Sequence, residues 1–297
     1  MSETRPPTPA RRPANARPRT AATDEHAHES DAPPPEPPSA IERVAIERQM
    51  LELTELSGAT VEPDPALRGL LVGRARRGPA FNYLGAIRWP ASGWQAFVAV
   101  TEQRFRALGE WPCVIVADGL STPPTIGADL ERDGWLPLER ETIMWTRRAA
   151  IVPHLDPWLR VEAVTAKSAP VHEQLEREVF ELAESNADDR VDVLARGIQA
   201  GRLRAYLVRL HGEPVAVARL TARDGIAALY GIGVAEGARR QGLGRLITTV
   251  ATRAALATGN RLVWLSVDES NATARHLYGA LGFEPTFGWT RLLGPAS

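Results

Sequence analysis

The stretch Val234-Ala-Glu-Gly-Ala-Arg-Arg-Gln-Gly-Leu-Gly-Arg245 decides the fold of this chain. It lies between an apolar run and a long segment of helical periodicity, which predicts a strand, a basic glycine-containing turn and a helix. The N-terminus of a helix presents free backbone N–H groups and a positive dipole end, and glycine lets an anion approach the backbone closely. The sequence therefore predicts a phosphate-binding turn at this point.

Two common phosphate-binding motifs do not fit this turn. A dinucleotide-binding fingerprint requires Gly-x-Gly-x-x-Gly, but the last glycine is replaced by Glu236 in one candidate and by Ile247 in the other. A P-loop requires Gly-Lys-Ser/Thr after its loop, and the chain has no such sequence. Both classes of nucleotide-binding protein are therefore excluded at this position.

The turn instead resembles the acyl-CoA turn of the GNAT superfamily of N-acetyltransferases, with Arg239-x-x-Gly242-x-Gly244 at the same spacing. A second element, Asn271-x-x-Ala274-x-x-Leu277-Tyr278-x-x-Leu281-Gly282-Phe283, is similar to the penultimate helix of that superfamily and the turn after it. The order of the predicted strands extends the resemblance over residues 160–295.

The chain departs from the commonest GNAT pattern at two positions. Glu236 stands where a proline is usual, and Arg240 stands where a glycine is frequent. Neither change removes a backbone amide from the turn, so we expect binding of the cofactor to persist.

The resemblance implies acetyl-CoA as the acyl donor and assigns roles to particular residues. Its pyrophosphate would lie on the turn, where Arg239 and Arg240 add positive charge. Ile232 and Val234 would pair through their backbones with the pantetheine arm, Asn271 would hydrogen-bond that arm, and Tyr278 would protonate the departing thiolate. The amides implied for the pyrophosphate are those of Arg240, Gln241, Gly242, Leu243 and Gly244.

Helical geometry is consistent with a shared role for Asn271 and Tyr278. Seven residues are almost two turns, so both side chains fall near one helix face, about 10 Å apart along the axis. Ala274 between them is small and would leave room for a narrow chain. The alternative is that Asn271 only caps the helix and Tyr278 is a half-buried aromatic residue.

The sequence leaves the general base open. Asp268 and Glu269 follow a predicted strand near the expected thioester, and Tyr230 lies on a neighbouring strand. Any of them could relay a proton through water, but turn or surface positions explain them equally well. Four glutamates of a helical region could also shape the acceptor site, although a solvated charged face is the favoured interpretation; they are Glu173, Glu176, Glu181 and Glu184.

The pattern of elements predicts a mixed α/β fold with a tandem GNAT-like arrangement. Residues 1–40 are rich in proline and arginine and contain no Leu, Val, Phe, Trp or Tyr, so we expect a disordered tail. Residues 41–150 resemble a degenerate copy without the glycine turn, and residues 151–297 resemble the catalytic copy. Helices are predicted near 41–56, 93–108, 125–133, 168–183, 189–200, 242–257 and 271–280, and strands near 69–74, 80–88, 111–117, 140–145, 203–210, 214–222, 226–234, 261–267 and 283–293.

Composition narrows the functional classes further. The net charge of −1 gives no reason to expect nucleic acid or a membrane surface as a partner. The single cysteine, Cys113, lies in an apolar run and is expected to be inert, and His26 and His28 are too isolated to predict a metal site. No segment is apolar for long enough to span a membrane, and no secretory signal is evident, so we expect a cytoplasmic protein.

The leading hypothesis is an acetyl-CoA-dependent N-acetyltransferase in which a bound amine attacks the thioester directly. The acceptor could be a small molecule or the N-terminus or a lysine of a protein. A non-catalytic acyl-CoA-binding regulatory protein on the same fold is the alternative. In a third possibility the first half and its tail recruit a protein that is then acetylated. The sequence does not define the oligomeric state.

Overall fold

One mixed sheet of eleven strands runs through the described part of the chain. The computed structural model describes residues 35–73, 77–152, 156–183 and 187–295. The predicted disordered tail, with His26 and His28, lies outside these residues up to position 34. Residues from Pro35 onward belong to one compact unit.

The first half of the described chain contains three helices and five strands. They are α1 Ala40–Glu52, β1 Thr60–Asp64, β2 Gly69–Gly73, β3 Tyr83–Gly85, α2 Trp94–Ala107, β4 Cys113–Ala117, α3 Ile126–Arg132 and β5 Leu136–Thr146. A 3-10 turn at Leu53–Ser57 extends α1. Ser39 caps α1 and forms a capping box with Glu42, which fixes the start of this helix.

Among the described residues, the second half contains four α-helices and six strands. They are β6 Leu159–Ala163, α4 Ala169–Val179, α5 Ala187–Gln199, β7 Leu203–Leu210, β8 Glu213–Arg223, β9 Ile226–Val234, α6 Leu243–Ala257, β10 Leu262–Asp268, α7 Ala272–Gly279 and β11 Glu284–Leu293.

The predicted helices are confirmed, and so are the predicted strands, with shorter bounds at several ends and longer bounds at others, since β5 begins at Leu136 and not near 140. Two strands were not predicted, β1 and β6, which are the two edge strands of the sheet. Both are short and have mostly exposed or half-buried residues. Edge strands bury little apolar surface, so the alternation of apolar and polar residues that reveals a strand is weak in them.

The two halves exchange their last strands. The strand order is β1-β2-β3-β4-β11-β5-β10-β9-β8-β7-β6. The final strand of the second half, β11, therefore pairs antiparallel with β4 of the first half. The final strand of the first half, β5, pairs antiparallel with β10 of the second half. Because β5 and β11 also pair with each other, each half of the sheet is completed by the other.

Each half contains one parallel pair of strands joined by a helix. In the first half α2 connects β3 to β4, and in the second half α6 connects β9 to β10. Such a crossover places its helix on one face of the sheet.

Buried aromatic residues hold the two halves together at the exchanged strands. Trp145 on β5 and Trp264 on β10 are register partners and are both almost fully buried. The Trp264 indole N–H donates to Oε1 of Gln49 on α1 at 2.8 Å, so the buried polar atom is satisfied. The centre of the sheet is therefore a core shared by both halves.

Within the described residues, no helix is both long enough and apolar enough to cross a membrane.

Candidate active site

The parallel strands β9 and β10 separate partway along their length. They pair from Ile226 with Leu262 to Leu229 with Leu265, and the pairing ends there. On the other side of β9, Gly231 and Ile232 together stand opposite the single residue Ala218 of β8, which defines a β-bulge. Bulges bend and twist a strand, and Gly231 meets the unusual backbone angle with a φ of 59°.

A cavity of about 420 Å³ occupies the space where the two strands part. Its walls come from β9, β10, α7 and α4. They include Glu176, Tyr230, Ile232, Ser266, Asn271 and Tyr278. The structure thus brings three of the sequence-predicted site residues, Ile232, Asn271 and Tyr278, to one cavity.

The glycine turn lies just beyond the end of β9. Gly242 is the N-cap of α6 and has a φ of 78°, a conformation that an L side chain adopts only with strain. No described group accepts a hydrogen bond from the backbone N–H of Arg240, Gln241 or Gly242, and the first amides of α6, from Leu243 onward, have no partner within the helix. The turn therefore presents several free N–H donors.

Arg240 also has a positive φ, of 62°. That backbone conformation explains why glycine is frequent at this position in the family that the turn resembles. The arginine keeps the amide in place and adds an exposed guanidinium. Its neighbour Arg239 donates from Nε to the carbonyl of Val234 at 3.3 Å, so that carbonyl is already engaged in this structure.

The turn packs against α7, and this contact connects it to the cavity. A Cβ atom on Gly244 would lie 3.2 Å from Leu277 Cδ2 on α7 and 3.8 Å from Val234 Cγ2. Arg239, Arg240, Gln241 and Gly242 are exposed and do not line the cavity. A ligand that occupies both the turn and the cavity must therefore be elongated.

Asn271 and Tyr278 stand at the two ends of α7. Asn271 caps the helix, since its Oδ1 accepts from the N–H of Ala274 at 3.0 Å. Its amide NH₂ stays available for another partner. Tyr278 is buried, with its ring against Phe283, and burial raises its pKa to about 12. This tyrosine therefore keeps its proton at neutral pH.

The interpretation of the α4 glutamates as a solvated face is wrong for Glu173 and Glu176. Both are buried, and both accept hydrogen bonds from Arg219 on β8. Arg190 on α5 makes a further ion pair with Glu173. These cations lie on other elements, so the helical pattern alone could not reveal them. Glu181 is exposed as expected, and Glu184 lies outside the described residues.

The three residues considered as bases lie in different environments. The Tyr230 hydroxyl is buried, and its pKa is raised to about 12 by desolvation. Asp268 and Glu269 are exposed. Asp268 accepts from Ser270, which lowers the pKa of its carboxyl. Glu269 donates its backbone N–H to the carbonyl of Arg140 at 3.0 Å.

A further carboxylate, which the sequence did not indicate, lies on β5 behind the cavity wall. Ser266 lines the cavity, and its hydroxyl donates to Oε2 of Glu141. The indole N–H of Trp289 on β11 donates to the same Ser266 oxygen at 3.2 Å. Glu141 stands opposite Asp268 only because β5 is exchanged into the second half, a pairing that no local sequence pattern encodes.

Among the residues that the structure describes, no group of His, Cys, Asp and Glu side chains is arranged to hold a metal ion. Cys113 is buried, and desolvation raises its pKa to about 12, which keeps the thiol protonated as expected.

Residues 170–283 match the model of the acetyltransferase (GNAT) family. The chain carries a GNAT acetyltransferase domain. The match includes the glycine turn, the parting strands and α7, so the cavity lies inside the GNAT domain. The domain is therefore of the acyl-CoA N-acyltransferase type. No curated protein matches the chain significantly.

Solved structures show that the GNAT-like fold extends over both halves. A GCN5-related N-acetyltransferase from Kribbella flavida is similar at 22% identity and a TM-score of 0.64, covering 85% of this chain and 96% of that one. A GCN5-related N-acetyltransferase from Sphaerobacter thermophilus is similar at 16% identity and a TM-score of 0.61, covering 88% and 95%. A tandem GNAT protein from the clavulanic acid biosynthesis pathway is similar at 18% identity and a TM-score of 0.57, covering 87% and 97%.

Proposed function

We propose that this protein is an acetyl-CoA-dependent N-acetyltransferase in which a bound amine attacks the thioester directly. One observation carries the proposal. The parting of β9 and β10 opens a narrow cavity walled by Tyr278, beside a turn with free amides. Holding amine and thioester together in such a slot supplies proximity, so no enzyme nucleophile is needed.

The turn is suited to the pyrophosphate of acetyl-CoA. The free N–H groups of Arg240, Gln241, Gly242, Leu243 and Gly244 would donate to the phosphate oxygens, and the dipole of α6 would favour their negative charge. Arg239 and Arg240 are exposed and would add charge-assisted contacts. Engagement of Arg239 by phosphate would also release the Val234 carbonyl that it now contacts at 3.3 Å.

The cavity is suited to the pantetheine arm and the thioester. The backbones of Ile232 and Val234 would pair with the arm, and the free amide NH₂ of Asn271 would donate to it. Capping and ligand binding use different atoms of Asn271, so the two roles are compatible. A backbone N–H near the bulge would stabilise charge on the thioester oxygen.

Tyr278 is suited to protonating the departing thiolate. It remains protonated at neutral pH, and its ring lies in the cavity wall. None of the described residues makes a hydrogen bond with its hydroxyl. A residue that only served binding would have no need of this donor in the slot, which favours an enzyme over a pure acyl-CoA-binding protein.

A matched pair of glycine variants tests the cofactor site. A ligand at a concentration of about one hundred times its Kd raises the free energy of unfolding by about 2.7 kcal/mol. Acetyl-CoA should therefore raise the Tm by about 5–10 °C. Gly242→Glu should abolish this rise because it places a carboxylate in the phosphate site. The control is Gly259→Glu at the opposite end of α6, where glycine also has a positive φ and open space around it.

The control should lose stability to a similar extent but keep the acetyl-CoA shift. Equal shifts for Gly242→Glu and Gly259→Glu would contradict the assignment of the turn. A screen of small amines and of peptide N-termini and lysines, with detection of the released CoA thiol, then tests the reaction. Acetyl-CoA binding without turnover of any acceptor would instead indicate a non-catalytic binding protein.

A further inference from the structure

Ser266 places a polar group in the part of the cavity wall contributed by β10. Its neighbours along the wall, Leu265 and Val267, are apolar and buried. The hydroxyl of Ser266 is oriented by two fixed partners, Glu141 from β5 and Trp289 from β11. Both of those strands are the exchanged ones, so this arrangement exists only because the halves are interlocked.

The hydrogen bonds of Ser266 leave one acceptor position free. A serine hydroxyl has one proton to donate and two lone pairs to accept with. The proton goes to Glu141 Oε2, and one lone pair accepts from Trp289 Nε1 at 3.2 Å. The remaining lone pair can accept an N–H from a cationic group in the cavity.

Glu141 is a largely buried carboxyl group without a cation in contact. It takes part in no ion pair with any described residue. The charged groups that face it are Glu139 on β5 and Asp268 on β10, which repel its charge, and Arg291 on β11, which attracts it. Arg291 is itself held by Glu139 at 3.0 Å and by the Pro79 carbonyl at 2.8 Å.

Burial therefore dominates the ionisation of Glu141 and raises its pKa to about 7. A base with a pKa near the working pH is the most effective, because it is both available and able to hold the proton.

Two other carboxylates, Asp268 and Glu176, line the cavity. Asp268 is exposed, and hydrogen bonds from Ser270 lower its pKa. Burial raises the pKa of Glu176, as it does for Glu141, but the position of Glu176 is different. It accepts a hydrogen bond from Arg219, which also holds Glu173. Taking up a proton at Glu176 would break a buried ion pair and leave the guanidinium of Arg219 to Glu173 alone. Glu141 has no such partner to lose.

We propose that Glu141 receives the proton of the acceptor ammonium through the hydroxyl of Ser266. The inference rests on the proposed N-acetyltransferase function and assigns its base. An N–H proton passes to Ser266 Oγ while the Ser266 proton passes to the Glu141 carboxylate, so the serine is unchanged and the amine gains its lone pair. The C–N bond then forms and the C–S bond breaks. The second amine proton ends on the CoA thiol by way of Tyr278, and Glu141 releases its proton to solvent.

This role makes the first half part of the catalytic apparatus. Glu141 does not line the cavity, so it is a positioning and relay residue that acts through Ser266. Without β5 the second half would keep its acyl-CoA turn and Tyr278 but would lose the group that accepts the proton.

The test compares Glu141→Gln with Glu139→Gln, which lies two residues away on the same strand and makes no contact with Ser266. The acceptor is an alkylamine that stays protonated to about pH 10. A change in kcat/KM near pH 7 therefore reports the ionisation of a group on the enzyme. We expect wild type to gain kcat/KM as pH rises through about 7. Glu141→Gln should lose about 100-fold or more at pH 8 and should lack this limb.

Several readouts separate this role from a structural one. Acetyl-CoA affinity should be unchanged in Glu141→Gln. Ser266→Ala should resemble it, and the double variant should be no worse than either single variant, as expected for groups that act as a unit. Glu139→Gln should keep the wild-type kcat/KM on the plateau above pH 7. An active Glu141→Gln enzyme with the wild-type pH limb would overturn the proposal.

A second measurement does not depend on turnover. Infrared difference spectra of wild type and Glu141→Gln should show one carboxyl band that titrates near pH 7 in wild type only. Absence of that band, or titration near pH 4, would also overturn the assignment. If the band is present but no amine is acetylated by wild type, the proposed N-acetyltransferase function fails, and the relay fails with it.

Discussion

Tyr278 and Tyr206 are two buried tyrosine residues that differ in their position relative to the cavity. Both side chains are 7% exposed, and burial raises both pKa values. Only Tyr278 lines the cavity. Tyr206 lies on β7, away from the parting strands, and packs in the same apolar cluster as Tyr278. The pair therefore offers a comparison in which burial is matched and position differs.

Tyr278→Phe should lower kcat by about 100-fold, because the thiolate would leave without a proton donor. Its Kd for acetyl-CoA should change little, since the ring and its contacts remain. Steady-state kinetics and calorimetric titration measure the two quantities. Tyr206→Phe should leave both unchanged. If acetyl-CoA affinity fell in Tyr278→Phe while kcat held, Tyr278 would be a packing residue.

The strand β5 combines stability and function at the scale of elements. It joins the two halves through Trp145, and it carries Glu141 into a half-buried position beside β10. A carboxyl whose folded pKa is raised stabilises the fold while it is protonated. That contribution is complete below the unfolded pKa and is lost as pH rises through the folded value.

For Glu141 this stabilising contribution is lost between about pH 4.5 and about pH 7. Glu141→Gln should therefore make the free energy of unfolding less dependent on pH across this window. By linkage the difference between the proteins reaches up to about 3 kcal/mol, with the variant relatively more stable at pH 8. Urea unfolding at several pH values measures this. Parallel curves for the two proteins would contradict the raised pKa.

Part of the structure was predictable because it is encoded by local sequence patterns. The glycine turn, the cap at Asn271 and the apolar strands are encoded by neighbouring residues, so the sequence predicts them. The pairing of β5 with β10 joins residues more than a hundred positions apart and leaves no local signal. Glu141 was missed for that reason. Glu173 and Glu176 were misjudged because their partner Arg219 lies on a distant strand.

At the scale of the whole molecule, the two halves repeat one order of elements but differ at the parallel strands. In the first half, Gly93 caps α2 with a φ of 78°, like Gly242 at α6. However, the parallel pairing continues beyond the end of β3. The backbone N–H of Trp89 donates to the Thr122 carbonyl at 3.1 Å, and the backbone N–H of Thr122 donates to the Ile87 carbonyl at 3.3 Å. The side chain of Trp89 is buried in the first-half core.

The first half therefore keeps its parallel strands closed where the second half opens a slot. It also lacks counterparts of Arg239 and Gly244 in its own turn. We propose that the first half, residues 41–150, is a copy without an acyl-CoA site of its own, whose contribution to the reaction is β5. We therefore assign one acyl-CoA site to the two-part protein.

Hydrogen exchange with and without acetyl-CoA tests this claim most directly. We expect slower exchange at the turn 239–246, at residues 230–234 of β9 and at α7, because phosphate and pantetheine would occupy their free donors. We expect no change at residues 86–95, the equivalent turn of the first half. Protection at residues 86–95, or no protection at 239–246, would contradict a single acyl-CoA site in the second half.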